Sequence, residues 1–181
     1  MEMRGPRVRL RPTGEEDYPF LKRLWNDGRV MKWVGFPHGV GYTDASLKKR
    51  LNRRRAGAGF HHFIVHDEHH RPIGEVQYDY APEKRRASLD VKFIPSAQGR
   101  GYATEALTLI IDLAFCAEPE LEEVYTEPRP GNIAAQKLYT RCGLRPKARP
   151  PDLDPNESYW ALERSAWLAR RDRARRHRDA S

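Results

Sequence analysis

Cysteine is scarce in this chain of 181 residues. Only Cys116 and Cys142 are present, both in stretches that read as helices and without the spacing of a disulfide framework. That excludes a cross-linked secreted scaffold and predicts a reducing, cytoplasmic setting. Long apolar runs are missing as well. Nothing approaches the roughly 20 consecutive apolar residues that a membrane-crossing helix needs. The opening MEMRGPRVRLRP has no apolar core of the kind a secretory signal carries, so no membrane partner is expected. There is no internal repeat, and no glycine-rich stretch is followed by the Gly-Lys-Ser/Thr of a nucleotide-binding P-loop. Histidine is the one metal-ligating type that clusters, with five between His61 and His70. They fall along a strand and its turn, where successive side chains diverge, with neither a helical i,i+4 pair nor a cysteine beside them. No metal is expected.

Positive charge is what the chain has in excess, a formal net of +8. Its placement matters more than its sum. Residues 164–181 hold seven arginines against Asp172 and Asp179, a net of +5, which leaves +3 for the rest. The length fits one domain with a sizeable core, read as residues 1–163. The remaining segment, 164–181, is too polar to pack and reads as a basic C-terminal tail. Charge confined to a tail weighs against a nucleic-acid partner for the domain itself. Oligomeric state is left open, a homodimer included.

Periodicity orders the elements. VRLRP reads as a strand, and Thr13 with Glu16 three residues on carries a capping-box signature ahead of a helix through YPFLKRLWND. A second, largely solvated helix starts at Thr43 or Asp44 and runs through ASLKKRLNRRRA. Between them, WVGFPHGVGY is a loop whose Trp33 and Phe36 either pack that loop or stack on a bound molecule. FHHFIVHDE and PIGEVQYDY form a hairpin, and ASLDVKFIP a third strand closed by Pro95. A helix from about Gly101 sets Ala103, Leu107, Ile110 and Ala114 on one face. The strand LEEVYTEP, the helix NIAAQKLYTRCG ended by Gly143, and the strand SYWALER follow. Antiparallel strands succeeded by α, β, α, β predict an α+β chain with a central mixed β-sheet flanked by helices.

Chemistry concentrates in SAQGRGYATEAL, residues 96–107. Glycines at Gly99 and Gly101 let a backbone come close to a ligand, and the helix that follows leaves its first N–H groups unpaired at the positive end of its dipole. Such a turn suits an anion, a pyrophosphate for example. A dinucleotide-binding fold is excluded, because the second glycine spacing is wrong and the preceding strands are antiparallel. Through Gln98, Gly101 and Ala103, QGRGYA resembles the Q/R-x-x-G-x-G/A pattern of the GNAT acetyltransferases. NIAAQKLYTRCGL, beginning twenty-nine residues beyond Ala103, is similar to that family's second motif, with Leu144 where Phe is usual. Element order carries the resemblance over residues 7–163, and residue-level matching is confined to about 87–144. Two branches look most similar. They are the ribosomal-protein N-terminal acetyltransferases, on ASLDVKFIPSAQGRGYATEAL and YWALERSAW, and the aminoglycoside 6'-N-acetyltransferases, on LDVKFI with TEPRPGN.

The resemblance implies the GNAT acyl-CoA N-acyltransferase fold with acetyl-CoA as co-substrate, its pyrophosphate on the backbone of Gln98, Gly99, Arg100, Gly101, Tyr102 and Ala103. It implies a splayed, bulged strand at Val91, Lys92 and Phe93 whose backbone serves the thioester carbonyl, where developing negative charge is worth stabilising. Tyr139 would protonate the departing thiolate. Asn132, seven residues earlier and on the same helix face, would hold the pantetheine arm or a water. An amine attacks only when neutral, so a base is needed. Glu127 matches the glutamate base of the N-terminal acetyltransferases and Asp90 the aspartate of the aminoglycoside enzymes; Asp90 is preferred as the nearer to the thioester. Asp152 and Asp154, in PPDLDPNES, fall where the family often lines the acceptor site and would draw a cationic acceptor. The expected function is acetyl transfer to a primary amine, on a small molecule or a protein N-terminus, by direct attack in a ternary complex. The alternative is a non-catalytic acetyl-CoA-binding or ribosome-associated module that uses the arginine tail.

Overall fold

The structure, a computed structural model, describes residues 2–153 and 158–179. Eight strands form one sheet in the order β1-β2-β3-β4-β5-β6-β8-β7. These are β1 Met3–Arg4, β2 Arg9–Pro12, β3 Phe60–His66, β4 Pro72–Ala81, β5 Arg86–Phe93, β6 Glu123–Thr126, β7 Arg145–Pro146 and β8 Trp160–Glu163. Only β5 and β6 run parallel; the other pairings are antiparallel. The helices are α1 Tyr18–Trp25, α2 Gly28–Met31, α3 Asp44–Arg55, α4 Tyr102–Ala117, α5 Ile133–Cys142 and α6 Arg164–Asp179. The expected mixed sheet flanked by helices is the one that forms. β1, β7 and α2 escape the sequence reading because segments of two to four residues carry no measurable period.

Strand alternation feeds two cores. Phe63 and Val65 of β3 meet Val76, Leu89 and the apolar stripe of α4, including Ala106, Leu107 and Ile110. Ile64, between them, meets Leu21, Leu24 and Trp25 of α1 and Leu47 and Leu51 of α3. Each side chain removed from water in this way contributes about 1.5–3 kcal/mol, so neither face of the sheet can be uncovered cheaply. α3 begins as its sequence predicts. The Thr43 hydroxyl accepts from the Ser46 N–H at 3.2 Å and the Ser46 hydroxyl accepts from the Thr43 N–H at 2.9 Å. The box expected at Thr13 and Glu16 does not form. The chain enters α1 through a 3-10 turn, Glu15–Asp17, capped at Gly14, and the Asp17 carboxylate accepts from the Gly14 N–H at 2.8 Å.

The basic segment also departs from expectation. It is helical from Arg164, and Trp167, 5% exposed, stacks on Phe115 of α4 with ring centroids 4.9 Å apart while its indole N–H donates to Asp112 at 2.6 Å. One tryptophan among arginines thus docks the first turns of α6. From Leu168 to Arg176 the side chains are exposed. A boundary at 163/164 therefore cuts a packed element, and the solvated part begins one turn later.

Candidate active site

The parallel ladder between β5 and β6 stops at Ser88 and Tyr125, while β5 stays paired to β4 as far as Phe93 opposite Gly74. β6 cannot follow further because Pro128 and Pro130 soon remove two N–H donors. Residues 89–93 therefore have an open edge. Its donors can be identified by counting. The Arg85 carbonyl is bonded by the Glu122 N–H on the β6 side at 2.8 Å, and the Ile94 N–H reaches the Ile73 carbonyl on the β4 side at 3.0 Å. Alternation then turns the N–H groups of Val91 and Phe93 to the opening and that of Lys92 into the β4 ladder. The splay is present, but the bulge expected with it is not. Among the described strands the one register irregularity lies between Val65 and His66. Lys92 also departs from expectation: its backbone serves the sheet, not the opening.

Below this edge a 3-10 turn, Pro95–Ala97, leads to Gly99 and Gly101, both left-handed at φ 73° and 85°. The N–H groups of Gly99, Arg100, Gly101, Tyr102 and Ala103 have no hydrogen-bond acceptor among the described residues, and Glu105 is the first residue of α4 to bond back, to the Gly101 carbonyl at 3.3 Å. A Cβ at Gly99 would meet nothing within 4 Å. Gln98 differs from expectation. Its N–H is bonded to Pro95, and its side-chain amide donates to the Phe93 carbonyl at 2.9 Å, fastening the turn to the open strand. Tyr102 contributes backbone only, since its ring is buried and its hydroxyl donates to Glu68 at 3.1 Å. Arg7, which sequence reasoning missed, donates to the Arg100 carbonyl at 3.0 Å, with its other terminal nitrogen 2.9 Å from where a Cβ at Gly101 would lie. Unpaired N–H groups, the helix dipole and this guanidinium suit a phosphate.

Tyr139 is buried on α5 beside β6. Burial pushes its phenol up to about 12, against a hydrogen bond from Thr126, and the negative Asp90 nearby adds to the rise. The phenol keeps its proton at any ordinary pH. Asp90 itself is half-buried, and its Oδ2 accepts from Lys92 and, at 3.3 Å, from Gln77. Asn132 stands at the edge of the helix that carries Tyr139, not within it. It is the N-cap of α5, and its Oδ1 accepts from the Ala135 N–H at 3.2 Å. Glu127, just past β6, is bonded by Arg149 at 3.0 Å.

Asp152 is ion-paired beside the start of β5. Lys84 and Arg86 each reach it at 2.7 Å, and these bonds hold its carboxyl at about 2. Arg86 begins β5, about 13 Å from Asp90 by strand rise. Asp154 lies outside the described residues. Trp33 and Phe36 are 39% and 45% exposed. The Trp33 ring sits 3.5 Å from the Cβ position of Gly131, so this aromatic loop borders the turn between β6 and α5. The structure thus gathers Asp90, Lys92, Thr126 and Tyr139.

Sequence reasoning also missed a charge network under Asp90. Glu75 of β4 is 1% exposed. Its Oε1 accepts from the Trp25 indole at 2.7 Å and from Lys92 at 3.2 Å, and its Oε2 accepts from His62 at 2.9 Å. Burial alone would raise its pKa, but the Lys92 ammonium and the His62 and Trp25 hydrogen bonds hold the carboxyl well below the usual range. Burial likewise opposes charge on Lys92, and Asp90 and Glu75 together more than offset it. The only sequence signal was a glutamate in an apolar strand. Among the described residues no His, Cys, Asp or Glu group could hold a metal ion, and no helix is long and apolar enough to cross a membrane.

Residues 7–145 match the acetyltransferase (GNAT) domain family. Over 145 residues the chain is 23% identical to the uncharacterized N-acetyltransferase YnaD of Bacillus subtilis (strain 168), covering 80% of this chain and 83% of that protein. Among solved structures it resembles the aminoglycoside acetyltransferase AAC(6')-Ib in complex with coenzyme A, with TM-score 0.75, 22% identity, and 91% and 99% of the two chains covered. It also resembles the spermidine N-acetyltransferase from Vibrio cholerae in complex with coenzyme A and spermine, with TM-score 0.76, 21% identity, and 91% and 99% covered. The acetyltransferase from Agrobacterium tumefaciens str. C58 has TM-score 0.75 and 23% identity over 91% and 95%. The structural likenesses speak to the fold. The family match spans most of the chain and includes both the parting strands and the glycine turn, so the chain belongs to the GNAT acetyltransferases.

Proposed function

We propose that this chain transfers an acetyl group from acetyl-CoA to a primary amine, with Asp90 and Tyr139 handling the protons. One observation carries the reading above the rest: β5 leaves β6 after Ser88, and the opening has free backbone donors on one strand and a buried phenol beside it. The N–H groups from Gly99 to Ala103, with Arg7, bind the pyrophosphate, and Asn132 contributes from the start of α5. Val91 and Phe93 offer N–H groups to the thioester carbonyl, where preorganised donors lower the barrier as negative charge develops. Asp90 takes a proton from the incoming ammonium. The freed nitrogen pair forms the bond to the acetyl carbon, the carbon–sulfur bond breaks, and Tyr139 gives the sulfur its proton. The second proton lost from nitrogen restores the phenol. Glu127 is the other candidate base, although Arg149 already engages it.

The acceptor is read as a small or terminal primary amine seated between Asp90 and the loop of Trp33 and Phe36. Relatives of this fold are named for aminoglycoside and spermidine acetylation, which agrees with an amine. The catalytic unit is read as residues 1–163 with the first turn of α6 docked upon it. Release of free thiol from acetyl-CoA across a panel holding an aminoglycoside, spermidine and a ribosomal-protein N-terminal peptide tests the reading. Release that depends on an amine supports it. Thermal stabilisation by acetyl-CoA with no release in any arm would make the chain a non-catalytic binder.

A further inference from the structure

Burying two opposite charges, Glu75 and Lys92, in the centre of a sheet is not an efficient route to stability, since well-packed apolar residues of similar volume often do as well or better. The arrangement around Lys92 does something that apolar residues could not. Its side chain is 10% exposed, and its ammonium lies between Glu75 Oε1 at 3.2 Å and Asp90 Oδ2. Register makes this possible, because Glu75 is the cross-strand partner of Lys92 and Gln77 that of Asp90. A lysine stem is flexible. Here the Trp25 ring, 6.0 Å from the ammonium, and the fixed carboxylate of Glu75 remove most of that freedom. Asp90 Oδ2 is occupied by Lys92 and Gln77, and Oδ1 has no hydrogen bond among the described residues.

We infer that Lys92, anchored by Glu75, is a positioning residue for acetyl transfer, holding Asp90 in the one orientation that presents Oδ1 to the incoming amine. The inference rests on the reading of Asp90 as the base; it gives the Lys92 side chain a role that the resemblance did not imply and adds Glu75, which no motif of the chain marks. A base must meet its proton at hydrogen-bond distance, and a misplacement of about 1 Å can cost roughly 10²-fold. Glu75 acts at one remove. Its bonds to Trp25 and His62 tie the ammonium, and through it Asp90, to α1 and β3.

The test is the double variant Lys92→Met with Glu75→Gln, which leaves no unpaired charge in the core, assayed beside Asp90→Asn. Expected is a kcat lower by roughly 10²-fold with the KM for acetyl-CoA and its thermal shift unchanged. A lower Tm with full kcat would overturn the inference, because a merely structural pair moves stability and not turnover. If the double variant does not fold, Lys92→Arg serves. It keeps the charge on Glu75 paired, yet its longer planar head displaces Asp90, so kcat falls while acetyl-CoA binding holds, and full kcat would again overturn it. Asp90→Asn separates the two claims. Turnover surviving in Asp90→Asn defeats the base assignment, whereas an inactive Asp90→Asn beside a fully active Lys92 variant defeats the positioning role alone.

Discussion

Ser88 and Tyr125 are the last residues paired between β5 and β6. Beyond them one strand keeps its inner partner while its outer edge is bare, and Gln98 ties that edge to the glycine turn through the Phe93 carbonyl at 2.9 Å. The open-edge N–H groups of β5 and the unpaired N–H groups of the glycine turn are thereby joined through one side-chain bond.

Acetyl-CoA should raise the melting temperature, since a ligand bound by the folded state alone stabilises it by mass action. Gly101→Leu should abolish the shift. At φ 85° a side chain costs about 1–2 kcal/mol, and its Cβ would meet the flexible end of Arg7 at 2.9 Å, so the protein stays folded while the cradle closes. Differential scanning fluorimetry with and without acetyl-CoA reads this, and an unchanged shift contradicts the cradle.

Tyr139→Phe should lower kcat by roughly 10²-fold and leave the acetyl-CoA shift intact. Because burial pushes the phenol up to about 12, Tyr139 stays protonated from pH 6 to 9 and contributes no limb to the rate profile in that range. The residual activity of the variant should therefore follow a profile of the same shape as the wild type.

Trp167→Ala should destabilise by about 3–5 kcal/mol, the usual cost of emptying a large buried aromatic site. Deletion of residues 170–181 should leave both Tm and acetylation nearly unchanged, because the side chains of Arg170 to Arg176 are exposed. Equal effects from the two changes would show that the docking point lies elsewhere.

Lys92→Met alone strands the buried Glu75 charge and should cost about 3–5 kcal/mol. Acid tests the same network. The Glu75 carboxyl is held below its ordinary value of 4.5, so the unfolded chain binds its proton first. Its contribution is full above about pH 5 and is lost as pH falls through the carboxylate range. Urea unfolding from pH 7 to 3 should show the wild type's advantage over Glu75→Gln shrinking on the acid side. An advantage that grows there contradicts the assignment.

Local signals were legible in the sequence. Gly99 and Gly101 announce left-handed turns, the stripe of α4 announces its buried face, and Thr43 caps where it should. Pro128 and Pro130, which end β6 and open the edge, were equally visible, yet the splay itself was reached only through the family resemblance. Long-range pairings left no local trace. Arg7 stands beside Gly101 across 94 positions, and Glu75 meets Lys92 only once the register of two strands is known. Asn132 misled because a cap residue sits just outside the periodic helix, and Trp167 because seven arginines outvote one tryptophan in any composition window.

Amine-dependent thiol release, followed from pH 6 to 9 for the wild type, Asp90→Asn and Glu127→Gln with the best acceptor of the panel, decides which carboxylate is the base. Asp90→Asn is predicted to lose most turnover at every pH while acetyl-CoA still binds, and Glu127→Gln, whose carboxylate Arg149 already holds, to keep its kcat. Full turnover in Asp90→Asn with loss in Glu127→Gln would rule out Asp90 and move the base to the strand end after β6.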